Sequence, residues 1–308
     1  MWSVLINLKI RKMKKYLSSL LMALAVAAVS CTSVVPEETW NEGTKAPFKM
    51  NIADADFEDG DRIGLYMFES SGSPFGGEVL ADNMLIRMDN SEAVLEGELF
   101  FPDTQVDICA YYPYWDDNII TDNHISVYVF EDQRNSRDYR ESDQKYLKLL
   151  NYENTGKPVE MVFERLMSRL SFELKPGNGF SSADELKDCE IIVPNIKYHT
   201  SISLEDAELI EPEGKRDFFP YVGEKQVADG KVSGIYSLVI PQTLYKGMSI
   251  ANITVGGDVF RCILDEDFTM RKGVSYTITI TLDKSETKSD SAACVVSGLS
   301  ITEDPVWE

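Results

Sequence analysis

The sequence predicts an all-β protein built from β-sandwiches. Short runs rich in β-branched and aromatic residues recur along the chain, and clusters of turn-forming residues separate them. One run, Thr277-Ile278-Thr279-Ile280-Thr281-Leu282, alternates strictly. It puts Ile278, Ile280 and Leu282 on one face and three threonines on the other, the pattern of a strand with one side in a core. The helical candidates are short, and antiparallel strands at this density point to sandwiches.

In chain order the runs begin with RIGLYMF (62–68), ELFFPDTQVDICAYY (98–112) and HISVYVF (124–130). RLSFEL (169–174), CEIIV (189–193) and SGIYSLVI (233–240) follow. MSIANITV (248–255), VFRCIL (259–264), VSYTITITL (274–282) and a last strand, CVVSGLSI (294–301), complete the series. Turns are marked by Gly72-Ser73-Pro74, Gly76-Gly77, Asp89-Asn90, Pro176-Gly177-Asn178-Gly179 and Gly256-Gly257-Asp258. Two segments are candidate helices. ESDQKYLKLL (141–150) suits about three turns, and SSADELKD (181–188) reads as a capped single turn. A polar zone from Glu131 to Lys157 places a domain boundary near residue 160, giving domains at 44–160 and 161–308. KSETKSDSA (284–292) reads as an exposed, flexible linker to the last strand.

The first thirty residues are of another kind. Lys9, Arg11, Lys12, Lys14 and Lys15 precede an apolar stretch from Leu17 to Val29 and then the small residues before Cys31. That is the order of a secretory signal. Thirteen helical residues span about 20 Å, short of a hydrocarbon core of about 30 Å, so residues 1–30 read as a signal and not an anchor. Ala28-Val29-Ser30-Cys31 resembles a lipobox, in which cleavage precedes the cysteine and its thiol is acylated; residues 31–43 then form a tether. Met13 is a more ordinary start than Met1.

Without the five basic residues of the leader, 25 basic face 51 acidic groups, a net charge of −26. Such a charge repels nucleic acid and anionic lipid surfaces and excludes them as partners. Four cysteines remain beyond Cys31: Cys109, Cys189, Cys262 and Cys294. Outside the cytoplasm they allow two bridges in three pairings. Cys109 and Cys262 lie within apolar runs, which favours buried, unpaired thiols.

Chemistry-bearing residues form no catalytic set. ADADFEDGDRIGL (53–65) holds Asp54, Asp56, Glu58, Asp59 and Asp61. A Ca²⁺ loop of the EF-hand kind places Gly sixth and Glu twelfth, whereas counting from Asp54 gives Asp59 and Leu65. The stretch reads as an acidic turn leading into a strand. The two histidines, His124 and His199, sit at strand edges, remote from any nucleophile motif. No enzyme activity, metal or cofactor is expected. Tyr111-Tyr112-Pro113-Tyr114-Trp115 is the densest aromatic group, read first as core; exposed, Tyr111, Tyr114 and Trp115 would form a platform for a sugar.

Several stretches together resemble one family. FEDGDRIGLYMF (57–68), CAYYPY (109–114), FERLMSRLSFEL (163–174), LVIPQTL (238–244) and KGVSYTITITL (272–282) are similar, in this order, to strands of the fimbrillin-like (Mfa-like and FimA-like) lipoproteins of Bacteroidales. Arg165 stands where members often have His, and Trp307 where they often place Trp. The resemblance runs from about Thr44 to Glu308 and implies two transthyretin-like β-sandwich domains. It implies a pilus subunit or adhesin held by lipid at the outer membrane, whose partners are other fimbrial subunits or further copies of itself. A host or glycan ligand is the alternative. In polymerising members a trypsin-like protease removes an N-terminal strand, and the groove accepts a strand from the next subunit. Lys45 and Arg62 are candidate processing positions. Segment 292–304, with Val295, Leu299 and Ile301 on one face and Ser297 between them, is the candidate donor or self-completing strand. Asp290-Ser291-Ala292 resembles the short O-glycosylation sequon of this phylum, with Ser291 as acceptor.

Overall fold

The structure, a computed structural model, describes residues 45–52, 57–284 and 295–304. The leader, the tether, Cys31, Asp54, Asp56, Ser291, Cys294 and Trp307 lie outside the described residues. The described residues form one compact unit.

Its N-terminal half contains β1 (Met50–Ile52), β2 (Arg62–Glu69), β3 (Val79–Asp89), β4 (Glu92–Leu95), β5 (Val106–Tyr112), β6 (His124–Tyr128), the helix α1 (Ser136–Glu141), β7 (Lys145–Tyr152), β8 (Val159–Met161) and β9 (Glu164–Arg165). Six of these strands make one sheet in the order β4-β3-β2-β5-β7-β9, while β1 and β8 pair parallel as a separate ribbon. The β3–β4 hairpin turns through Asn90 and Ser91, with φ of 49° and 63°. Positive φ at both central residues marks a type I′ turn, whose twist matches that of paired strands.

The C-terminal half holds β10 (Ser168–Pro176), β11 (Glu190–Ile196), β12 (His199–Ser203), β13 (Arg216–Phe218), β14 (Tyr221–Ala228) and β15 (Lys231–Val239). Then come β16 (Thr243–Leu244), β17 (Ser249–Val255), β18 (Asp258–Ile263), β19 (Phe268–Thr269), β20 (Ser275–Asp283) and β21 (Val295–Asp304). A five-stranded sheet, β14-β15-β10-β20-β21, and a four-stranded sheet, β13-β11-β17-β18, close on one core. Leu170, Phe172, Ile278, Ile280 and Leu282 from the first sheet bury with Val193, Ile253 and Phe260 from the second. The alternation read in β20 decides which of its sides faces that core.

The six-stranded sheet is buried on both faces. Ile63, Leu65 and Met67 of β2 point into a core shared with β1 and β8, and Tyr66 and Phe68 point the other way. Tyr66 and Phe68 join the core of the C-terminal sandwich through Ile125 and Val127 of β6. A continuous apolar interior therefore passes from one half to the other. Residue 160, the expected boundary, lies inside β8, whose Val159 and Met161 bury in the N-terminal core.

One helix expectation is corrected. Within 141–150 only Glu141 is helical; Lys145–Tyr152 is β7, paired with β5 and β9. Tyr146, Leu147, Leu149 and Leu150 suit helical spacing as well as a strand, and β5 supplies the hydrogen bonds that decide. The helix lies earlier, its start capped by the Asn135 side chain, which accepts from the Asp138 N–H at 2.8 Å. The turn expected at 181–188 is a 3-10 helix, Ala183–Leu186, capped by Ser182.

Candidate functional site

Two places combine exposed structure with unspent chemistry: the C-terminal strand and the aromatic turn after β5. β21 is an edge strand. It pairs antiparallel with β20 of its own chain, from Asp304 opposite Ser275 to Val295 opposite Asp283. Thr281 faces Gly298 while Leu282 faces Val296, so Ser297 is the extra residue of a β-bulge. The bulge shifts the alternation. Val296 packs on the core with Leu299 and Ile301, in the place that unbroken alternation gives to Val295. The register seats Val296 opposite Leu282. All three packing side chains are half-buried. Beside β21 a cleft of about 520 Å³ opens against Leu264–Thr269, with Leu299 and Ile301 in its wall and Asp265, Glu266, Asp267 and Glu303 lining it.

Of the processing candidates, Lys45 is exposed, before the bridge that pairs Pro47 with Phe100. Arg62 begins β2 and is held there. Its carbonyl accepts from the Tyr114 N–H at 2.9 Å, and its guanidinium lies 4.7 Å over the Tyr114 ring and 3.2 Å from Asp116.

Glu58, Asp59 and Asp61, the described carboxylates of the acidic turn, have partners within the fold. Both carboxylate oxygens of Asp61 accept from Arg140 Nη2 at 2.7 Å, Oδ2 accepts from the Glu58 N–H at 2.8 Å, and Oδ1 from the Tyr112 hydroxyl at 3.1 Å. Asp59 accepts from the Ser91 N–H at 2.9 Å, and Arg140 also binds Glu58. The turn thus fastens β2 to α1 and to the β3–β4 hairpin. Burial pushes the Tyr112 phenol well above its ordinary range, and Asp61 adds to the shift.

Tyr111 is buried and donates to Asn83 Oδ1 at 2.7 Å; burial holds its phenol up at about 12. Tyr114 and Trp115 are half-buried, and Trp115 packs against the C-terminal core. One cleft of about 490 Å³, with Arg62, Arg140 and Asp61 in its lining, has Tyr114 and Trp115 in its wall. A second, of about 380 Å³, has Trp115 and Tyr128 in its lining. Sequence reasoning missed Tyr128, which lies 13 residues from Trp115 along the chain and shares a cleft with it in the folded structure.

Cys109, Cys189 and Cys262 are free and buried, and burial raises all three thiols, Cys109 and Cys262 to about 12. His124 Nδ1 lies 2.6 Å from the Asp122 carbonyl oxygen and His199 Nδ1 2.9 Å from Glu213 Oε1. Neither histidine is hydrogen-bonded to a nucleophile. Among the described residues no helix is long and apolar enough to cross a membrane.

Comparison with solved structures finds this fold among Bacteroides proteins. A candidate cell adhesion protein from Bacteroides uniformis shares 17% identity at a TM-score of 0.60, covering 86% of this chain and 98% of its own. One from Bacteroides ovatus, also described as a candidate cell adhesion protein, shares 14% at 0.59, covering 85% and 96%. A fimbrial protein from Bacteroides vulgatus shares 11% at 0.50, covering 84% and 98%. At these identities the likeness is one of fold. No curated protein matches the chain. The family described as fimbrillin-like matches over residues 44–297, most of the length. The chain belongs to the fimbrillin-like family.

Proposed function

We propose that the chain is a cell-surface fimbrial subunit or fimbria-associated adhesin, anchored at the outer membrane by lipid on Cys31 and assembled by β-strand addition. The observation that carries this reading is β21, an edge strand at the C-terminal end of the described chain, seated on β20 with Val296, Leu299 and Ile301 only half-buried. A strand from a second copy can make the same main-chain ladder to β20 and fill the same pockets. Until it does, β21 covers an edge that would otherwise template aggregation. Lys45 supports processing by its exposure. A cut there leaves β1 in place, whereas a cut at Arg62 separates β1 from the sheet that follows, and β1 carries Ile52 into the N-terminal core. Two sandwich domains and attachment to other subunits at the cell surface belong to the same reading. It gives no residue a catalytic role.

The test is an unboiled, non-reducing gel of the purified protein before and after limited trypsin. The reading expects a ladder after cutting and a single band before it. A single band in both lanes overturns polymerisation and leaves a monomeric surface lipoprotein that holds a glycan or host ligand. That second reading is favoured by the two clefts flanking Trp115.

A further inference from the structure

β6 and β12 pair antiparallel, with Tyr128 opposite His199, Ser126 opposite Ser201 and His124 opposite Ser203. The alternate residues Ile125, Val127, Thr200 and Ile202 are buried, so these six side chains share the outer face of the ribbon. The segment from Trp115 to Thr121 borders that face and completes the cleft of about 380 Å³. Its volume falls in the range of small-molecule sites, roughly 300–1,000 Å³.

The lining is of two kinds. Trp115, Ile119 and Tyr128 supply apolar surface, and Ile119 is 70% and Tyr128 46% exposed. The Tyr128 ring stacks on His199 with centroids 4.2 Å apart and an angle of 19°, and His199 is in turn fixed by Glu213. Tyr128 is therefore a platform of set orientation. Asp117, Thr121 and Ser126 supply a carboxylate and two hydroxyls.

These two kinds narrow the ligand. No basic side chain lines the cleft, and Asp117 repels anions, so phosphate, sulfate and acidic sugars have no counter-charge there. A wholly apolar ligand would strip water from Asp117, Thr121 and Ser126 without replacing their hydrogen bonds. A pyranose offers an apolar C–H face for an aromatic ring and hydroxyls at its rim for the polar groups. We propose that this cleft binds a neutral pyranose, the terminal sugar of a glycan, with its C–H face on Tyr128 and its hydroxyls on Asp117, Ser126 and Thr121. The inference deepens the ligand-binding reading and rests on it, not on strand exchange, because one chain carries the whole cleft.

The test is saturation-transfer NMR and titration on the chain from residue 31 onward with Cys31→Ser. The probes are the methyl glycosides of glucose, galactose and mannose, N-acetylglucosamine, and sialic acid as the charged control. Transfer to the ring protons of at least one neutral probe is expected, and none to sialic acid. Tyr128→Ala, which removes the platform, and Ser126→Trp, which fills the cleft, each weaken binding at least tenfold; Tyr245→Ala, exposed and in the lining of neither cleft, binds as the parent does. Thermal melts of each variant confirm that it is folded. Absence of transfer to every neutral probe, or preference for sialic acid, overturns the proposal. Binding lost in Tyr114→Ala, in the neighbouring cleft, but kept in Tyr128→Ala and Ser126→Trp overturns this site and leaves the ligand-binding reading standing on the other cleft.

Discussion

Leu299 lies directly opposite Ile280 across the ladder between β21 and β20. Ile280 is fully buried and Leu299 half-buried, so the pair marks where the last strand leans on the core without closing it. Leu299→Asp puts a charge against that core without a partner. A half-buried leucine gives up about 1–2 kcal/mol, a fall of roughly 2–8 °C in Tm. A chain ending at Ser291 should aggregate or lose multimers, and a peptide of residues 292–308 should rescue it, whereas the peptide with Leu299→Asp should not. A truncated chain that stays monomeric, melts as before and ignores the peptide would remove β21 from the assembly reading.

Arg140 and Asp61 form the joint between α1 and the acidic turn. Arg140→Ala leaves the mostly buried Asp61 carboxylate with the Glu58 N–H and the Tyr112 hydroxyl alone, at a cost of about 1–3 kcal/mol in urea unfolding. Arg140→Lys restores charge but not the planar fork and should recover only part of the loss. Equal stability of Arg140→Ala and the parent would show that the turn is held by its backbone.

Because the Asp61 carboxylate is already committed to Arg140, millimolar Ca²⁺ should leave Tm where generic screening by another divalent salt leaves it. A saturable rise that disappears with Asp56→Asn would assign a cation to the turn.

Stability should fall on the alkaline side. Burial raises Cys109 and Cys262 from 9.0 and Tyr111 from 10.0, each to about 12. The fold favours their neutral forms, so their contribution is complete below pH 9 and is lost as pH rises from 9 towards 12. Melts at pH 8, 10 and 11 should show a progressive decrease. For the same reason iodoacetamide at pH 8 should label Cys109 and Cys262 only after denaturant is added. Rapid labelling of the native protein would contradict their burial.

The lipobox-like run before Cys31 sets the membrane prediction. Cys31→Ser should abolish labelling by an alkyne fatty acid and release the protein from the membrane fraction. Unchanged labelling would sink the anchor.

The sequence by itself determined the all-β class, the order of most core strands and the family motifs, because these rest on local pattern. In β20 the alternation of Ile278, Ile280 and Leu282 states which face is buried, whatever the partner strand. The hairpin at Asn90 and Ser91 is likewise a local matter, since its turn residues set its twist. What depends on a partner strand was decided in three dimensions. Tyr146 to Leu150 suits helix and strand alike until β5 supplies hydrogen bonds from some 40 residues away. Ser297 becomes a bulge, and Val296 a core residue, only when β21 takes its register on β20. Tyr111 is drawn inside because the six-stranded sheet is covered on both faces, while Tyr128 stays out because it lies on the outer face of the β6–β12 ribbon, opposite the buried Ile125 and Val127. Register and layering are long-range: they are set by which strands pair and which faces are covered, and neither is written in the spacing of neighbours along the chain.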